Sequence, residues 1–173
     1  MAKLLAREED RFRGEILDAG GGGELFARSL PSGRLTSIDA SNADAASFDA
    51  VLSISRLQFA GDPAADVVAM ARACKPGGAV LILVPHALQE DLAEALHAFT
   101  LRGLHALASA AGLDVEYTRA VNPSKGGVLR RELDAFEFQS PKHIAVPDEL
   151  CGWVDVMDEQ RPMLLACLGI KRE

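Results

Sequence analysis

A doubly wound, mostly parallel α/β sheet is the fold class this sequence predicts, and three observations predict it. Ala79-Val80-Leu81-Ile82-Leu83-Val84 is apolar without alternation, which is how a strand buried on both faces reads. Short apolar runs of this kind alternate with helical patterns through the first two thirds of the chain. Four glycines, Gly20 to Gly23, follow the first apolar run, at the end of a strand where open α/β sheets hold their ligands. The 173 residues, 49% hydrophobic and 25% charged, suit one compact domain spanning 1–173.

The elements follow in order. Ile16-Leu17 opens the sheet, and Glu24 to Leu30 can form a helix after the glycines. Leu35-Thr36-Ser37-Ile38-Asp39 reads as a second strand ending in an acid, and Ala50 to Ile54 as a third. Asp62-Pro63 starts a helix, Asp as N-cap and Pro in the first turn. Val67, Met70 and Ala71 share one face of it, and Lys75-Pro76-Gly77-Gly78 stops it. With the 79–84 strand this makes a right-handed βαβ unit. A helical stretch runs from Ala87 to Ala111, with Leu88, Leu92, Leu96 and Phe99 on one stripe and Leu104, Leu107 and Ala111 continuing the period. Thr100 and Gly103 are its points of division, Gly112 its C-terminal cap, and Leu113 to Ala120 a following strand. Residues 122–162 form an irregular insertion, with Phe136 and Phe138 in strand-like alternation, before a last apolar strand from Met163 to Leu168.

Charge narrows the function. Lys+Arg 18 against Asp+Glu 25 leaves a net charge of −7, without the positive field that nucleic acid or a membrane surface requires. No apolar run approaches the roughly 20 residues that span a bilayer. The opening MAKLLAREED lacks the apolar core of a secretory signal. Cys74, Cys151 and Cys167 form neither a CxxC pair nor a disulfide framework, which suits a reducing compartment. A cytoplasmic protein with a small-molecule ligand is the expectation. His86 and Glu90 have i, i+4 spacing but no further ligands, so no metal site is expected.

The chemistry concentrates around the glycines. Gly20 to Asp39 is close to the interval of about 20 residues at which an acid meets a ribose hydroxyl in nucleotide-binding α/β folds. The dinucleotide fingerprint fails, because Leu25 or Phe26 stands where its third glycine belongs. Asp18 at the mouth of the first strand would repel a pyrophosphate and suits a cationic amino group. That favours S-adenosylmethionine over NAD.

Three blocks carry a family likeness: Ile16-Leu17-Asp18-Ala19-Gly20-Gly21-Gly22-Gly23, Ala46-Ser47-Phe48-Asp49-Ala50-Val51, and Met70-Ala71-Arg72-Ala73-Cys74-Lys75-Pro76-Gly77-Gly78. In this order the chain resembles the class I S-adenosylmethionine-dependent methyltransferases of small molecules, over residues 14–120 and the C-terminal strand. The resemblance implies a Rossmann-like sheet and S-adenosylmethionine as cofactor. It implies that Asp18 and Gly20 border the methionine part, that Gly22 lets the ribose pack closely, and that Asp39 accepts from the ribose hydroxyls. The family places a helix and a further strand between Asp39 and Phe48; here Ala40 to Ser47 leave no room, so the sheet is expected to lack one edge strand. Asp44 is then the candidate for the adenine side, set against its reading as a solvated turn residue.

For methyl transfer the candidates beyond the strand ends are Arg56 and His86, the latter as a general base. Arg130-Arg131 could attract an acidic substrate group, and Trp153 reads as packing. The alternative to a methyltransferase is a non-catalytic protein that keeps the fold as a binding or dimerisation module. The missing strand favours that reading, since a bare edge beside Ile38 must be covered by residues 128–162 or by a second subunit in a homodimer.

Overall fold

The computed structural model describes residues 8–20, 33–85, 95–121 and 164–172. Six strands form one sheet: β1 (Gly14–Asp18), β2 (Gly33–Ser37), β3 (Phe48–Ile54), β4 (Cys74–Pro85), β5 (Leu113–Val121) and β6 (Leu164–Lys171). Their order is β2-β1-β3-β4-β6-β5. The first four pair in parallel, whereas β6 lies antiparallel between β4 and β5. The sheet is mixed and Rossmann-like, and no strand lies beyond β2 among the described residues.

The apolar runs have no alternation because both faces are covered. Leu17, Val51, Val80, Ile82, Leu165 and Cys167 face one core, shared with α1 (Pro63–Ala73) and α2 (Leu101–Ala110) through Val67, Met70, Leu104 and Ala108. Ile16, Ala50, Leu52, Leu81, Leu83, Ala166 and Leu168 face a second core with Phe12.

The helix signals act as the sequence predicts at their ends. Asp62 accepts from the N–H groups of Ala64 and Ala65, both at 3.0 Å, and so caps α1. Thr100 accepts from Gly103 N–H at 3.1 Å and caps α2. The division expected at Thr100 is therefore real, and it is wider than a break between two helices: residues 95–100 are not helical, and Leu96 is 67% exposed while its N–H donates to the Gln58 carbonyl. Gly112 follows α2 at φ +82°, the left-handed value that ends a helix cheaply only at glycine.

Two boundaries shift. The chain leaves α1 at Ala73 and pairs at once, Cys74 opposite Phe48; Lys75 to Gly78 then bulge out before Ala79 meets Ala50. β2 ends at Ser37, so Asp39 lies past the strand rather than at its last residue. Between β2 and β3 stands only a 3-10 turn, Ala40–Asn42. The guanidinium of Arg72, in the last turn of α1, fastens it by donating to the carbonyls of Ser41 (2.9 Å) and Ala43 (3.1 Å). The 122–162 insertion, with Phe136, Phe138, Arg130, Arg131 and Trp153, lies outside the described residues.

Candidate functional site

The carboxyl ends of β1, β2 and β3 converge on one polar cluster. Parallel register sets Asp18 opposite Ser37 on one side and Leu52 on the other. Asp18 is fully buried. One carboxyl oxygen accepts from the Ser37 hydroxyl at 2.9 Å, the other from Gly20 N–H at 3.3 Å. The acid therefore joins the end of β2 to the first turn after β1.

Gly20 is glycine for want of space. A Cβ there would stand 2.9 Å from the Ile54 carbonyl oxygen and 3.3 Å from Arg56 Cβ, closer than atoms pack without displacement. The loop thus leaves β1 pressed against the end of β3. Ser55 carries the turn out of β3 at φ +50°, a strained value for a residue with a side chain, and its N–H donates to the Leu83 carbonyl at 2.8 Å.

Asp39 caps the 3-10 turn. Its Oδ1 accepts from the Ser41 N–H (2.9 Å) and hydroxyl (2.7 Å), and its Oδ2 from the Arg56 guanidinium (2.8 Å). The Ser41 bonds first, and then the Arg56 charge, hold this carboxyl below the usual carboxylate range. Arg56 also faces Asp66, on the first turn of α1, at 3.7 Å. Read from sequence as a catalytic candidate, Arg56 is placed by the structure as the ionic partner of Asp39.

Asp18, Gly20, Asp39 and Arg56 thus come together. Asp44 does not join them: it is exposed, and two and three residues on, Ala46 and Ser47 donate to the last carbonyls of α1 on the approach to the amino end of β3. The short connection directs it there, toward the end of the sheet opposite Asp18 and Gly20. Gly22 and His86 lie outside the described residues. His97 is half-buried with Nε2 2.8 Å from the Ala60 carbonyl, and His105 is exposed beside Thr118. No group of three or more potential metal ligands occurs among the described residues.

No protein-family model and no curated protein matches the sequence. Solved structures do match. A methyltransferase from Haloferax volcanii, in complex with the Trm112 methyltransferase activator, shares 18% identity at TM-score 0.67, covering 99% of this chain and 89% of its own. A Haemonchus contortus phosphoethanolamine N-methyltransferase bound to phosphomonomethylethanolamine and S-adenosylhomocysteine shares 16% at TM-score 0.67, over 99% of this chain and 52% of its own. This chain has the class I methyltransferase fold. The same fold also serves a [4+2]-cyclase, 14% identical at TM-score 0.60 over 99% of this chain and 79% of its own, so fold alone does not fix the reaction.

Within the class I methyltransferase fold, sequence reading missed Ser37, Ser41, Asp66 and Arg72. Ser37 had a signal, since parallel pairing of the first two strands sets it level with Asp18. Ser41 had one too, because Asp followed two residues later by Ser is a local capping pattern. Arg72 and Asp66 had none; they reach the site through the packing of α1.

Proposed function

We propose that this protein binds S-adenosylmethionine at the carboxyl ends of β1 and β2 and transfers its methyl group to a small acceptor. The observation that carries the reading is the pairing of a side-chain-free approach at Gly20 with two carboxylates, Asp18 and Asp39, from neighbouring strand ends. The arrangement suits a ligand with ribose hydroxyls: Asp39, held ionised, is an acceptor for hydroxyls, and Asp18 keeps the loop in place beneath them.

When bound, S-adenosylmethionine supplies an electrophilic methyl on a sulfonium. Its transfer would be an in-line displacement at carbon, which would leave the chain to orient the acceptor and to take a proton where the nucleophile carries one. For such a displacement the protein's task is mainly orientation. His86, which follows Pro85 of β4 in the sequence, is the base this reading assigns to a protonated nucleophile. The acidic balance of −7 supports a small acceptor over nucleic acid; no described helix is long and apolar enough to cross a membrane.

The 3-10 turn in place of a longer connection favours a second reading, a methyltransferase-like binding or dimerisation module without turnover. Calorimetry with S-adenosylmethionine and S-adenosylhomocysteine separates the two. Micromolar affinity, weakened at least about tenfold by Asp39→Ala, a loss of roughly 1.4 kcal/mol or more, is the expected result. No heat at millimolar ligand refutes the adenosyl site; tight binding with no methyl transfer to any acceptor supports the module.

A further inference from the structure

A carboxylate offers about four lone-pair positions to donors. Three at Asp39 are taken: two by Ser41 and one by Arg56. A ribose presents two hydroxyls, so one free position cannot receive both while the guanidinium stays. Arg56 has somewhere else to go. Asp66 lies on its other side, 3.7 Å from Nε, too far for a hydrogen bond but close enough to attract it. Arg56, Asp39 and Asp66 are 39%, 38% and 27% exposed, so their pairs meet water in either arrangement and neither is worth much more than the other. A Cβ added at Gly20 would come within 3.3 Å of Arg56 Cβ, so the stem of Arg56 has little room beside the loop, and the guanidinium at the far end of its flexible side chain is the part that moves.

We propose that Arg56 is a latch on Asp39, closing it in the free protein and passing to Asp66 when an adenosyl ligand claims the carboxylate. The latch rests on the adenosyl-site reading above. It makes Arg56 and Asp66 positioning residues that set affinity through Asp39, and it gives their removal opposite signs.

Calorimetry with S-adenosylhomocysteine, whose charges balance, is the test. Arg56→Ala removes the competitor and tightens binding about two- to fivefold, the range set by exposed ion pairs. Asp66→Asn removes the alternative partner and weakens binding by a similar factor. The double variant Arg56→Ala/Asp66→Asn behaves as Arg56→Ala alone, because Asp66 acts only through Arg56. Arg56→Lys keeps the wild-type order. Higher ionic strength screens the exposed pair and narrows the gap between wild type and Arg56→Ala. Weaker binding by Arg56→Ala, or no change in Asp66→Asn, overturns the latch while leaving the adenosyl site standing. If wild type and Arg56→Ala both give no heat, the adenosyl site falls and takes the latch with it. A ligand-free readout stands beside these: in carbon-detected NMR the Asp39 carboxyl titrates at higher pH in Arg56→Ala than in wild type. Identical titrations overturn the latch regardless of ligand.

Discussion

The two halves of the sheet are built to different rules. In β4, β6 and β5 the pairing is long: β6 matches β4 without a break from Leu164 opposite Pro85 to Ile170 opposite Ala79, and β5 with one shift of register between Val115 and Tyr117. Its buried residues there are apolar, glycine or cysteine. The β2-β1-β3 half is shorter, and every buried polar side chain among the described residues belongs to it or to the turn just after it: Asp18, Ser53 and Gln58. Ser53 Oγ and Gln58 Oε1 have no hydrogen-bond partner, at a cost of about 1–3 kcal/mol each. One half supplies stability by packing, and the other accepts destabilising groups where the candidate site lies.

That division predicts where substitutions separate stability from binding. Leu168, fully buried opposite Leu81, belongs wholly to the packing half. Leu168→Ala should lower unfolding stability by about 2–5 kcal/mol, read by urea denaturation. The folded fraction should bind S-adenosylhomocysteine as wild type does. A large loss of affinity with a small loss of stability would break the comparison.

Asp18 should respond in both measurements. Asp18→Ala takes an acceptor from the Ser37 hydroxyl and from Gly20 N–H, costing about 1–3 kcal/mol in denaturation. Affinity should fall as well, because the Gly20 turn loses its anchor to β2. Asp18→Asn keeps an acceptor oxygen and should recover most of the stability. Wild-type affinity in Asp18→Ala would make this acid a sheet fastener only.

The same contrast explains what the sequence could disclose. Continuous apolar runs, the Asp62 cap, the division at Thr100 and Gly112 are local signals, and each stands in the structure near where it was read. The parallel half was legible down to Asp18 and Gly20 at the mouth. The insertion of β6 between β4 and β5 was not, since antiparallel placement of a distant strand depends on packing across the whole sheet. Asp39 was read as the acid that ends a strand rather than as a cap: the strand stops at Ser37, and the local Asp39-to-Ser41 capping signal, present in the sequence, was passed over. Its pairing with Arg56 joins residues from different loops, which no period in the sequence encodes.

The smallest expected effect belongs to the cysteines of the packing half, where chemistry should be quiet. Cys74 and Cys167 are free and buried, and burial pushes both thiols up to about 11. The folded protein therefore keeps protons that the unfolded chain begins to release near pH 9. The stabilisation is complete below that pH and is lost as pH rises toward about 11, by up to about 1.4 kcal/mol per pH unit for each thiol. Denaturation of Cys167→Ala across this window should show a shallower decline than wild type, whatever the cavity costs at neutral pH. Burial also denies reagents the thiolate, so at pH 7 alkylation of Cys74 and Cys167 should proceed only as fast as the protein opens. Rapid labelling of Cys167 in the folded protein would mean that β6 leaves the sheet readily, and the packing half would lose its claim to be the rigid one.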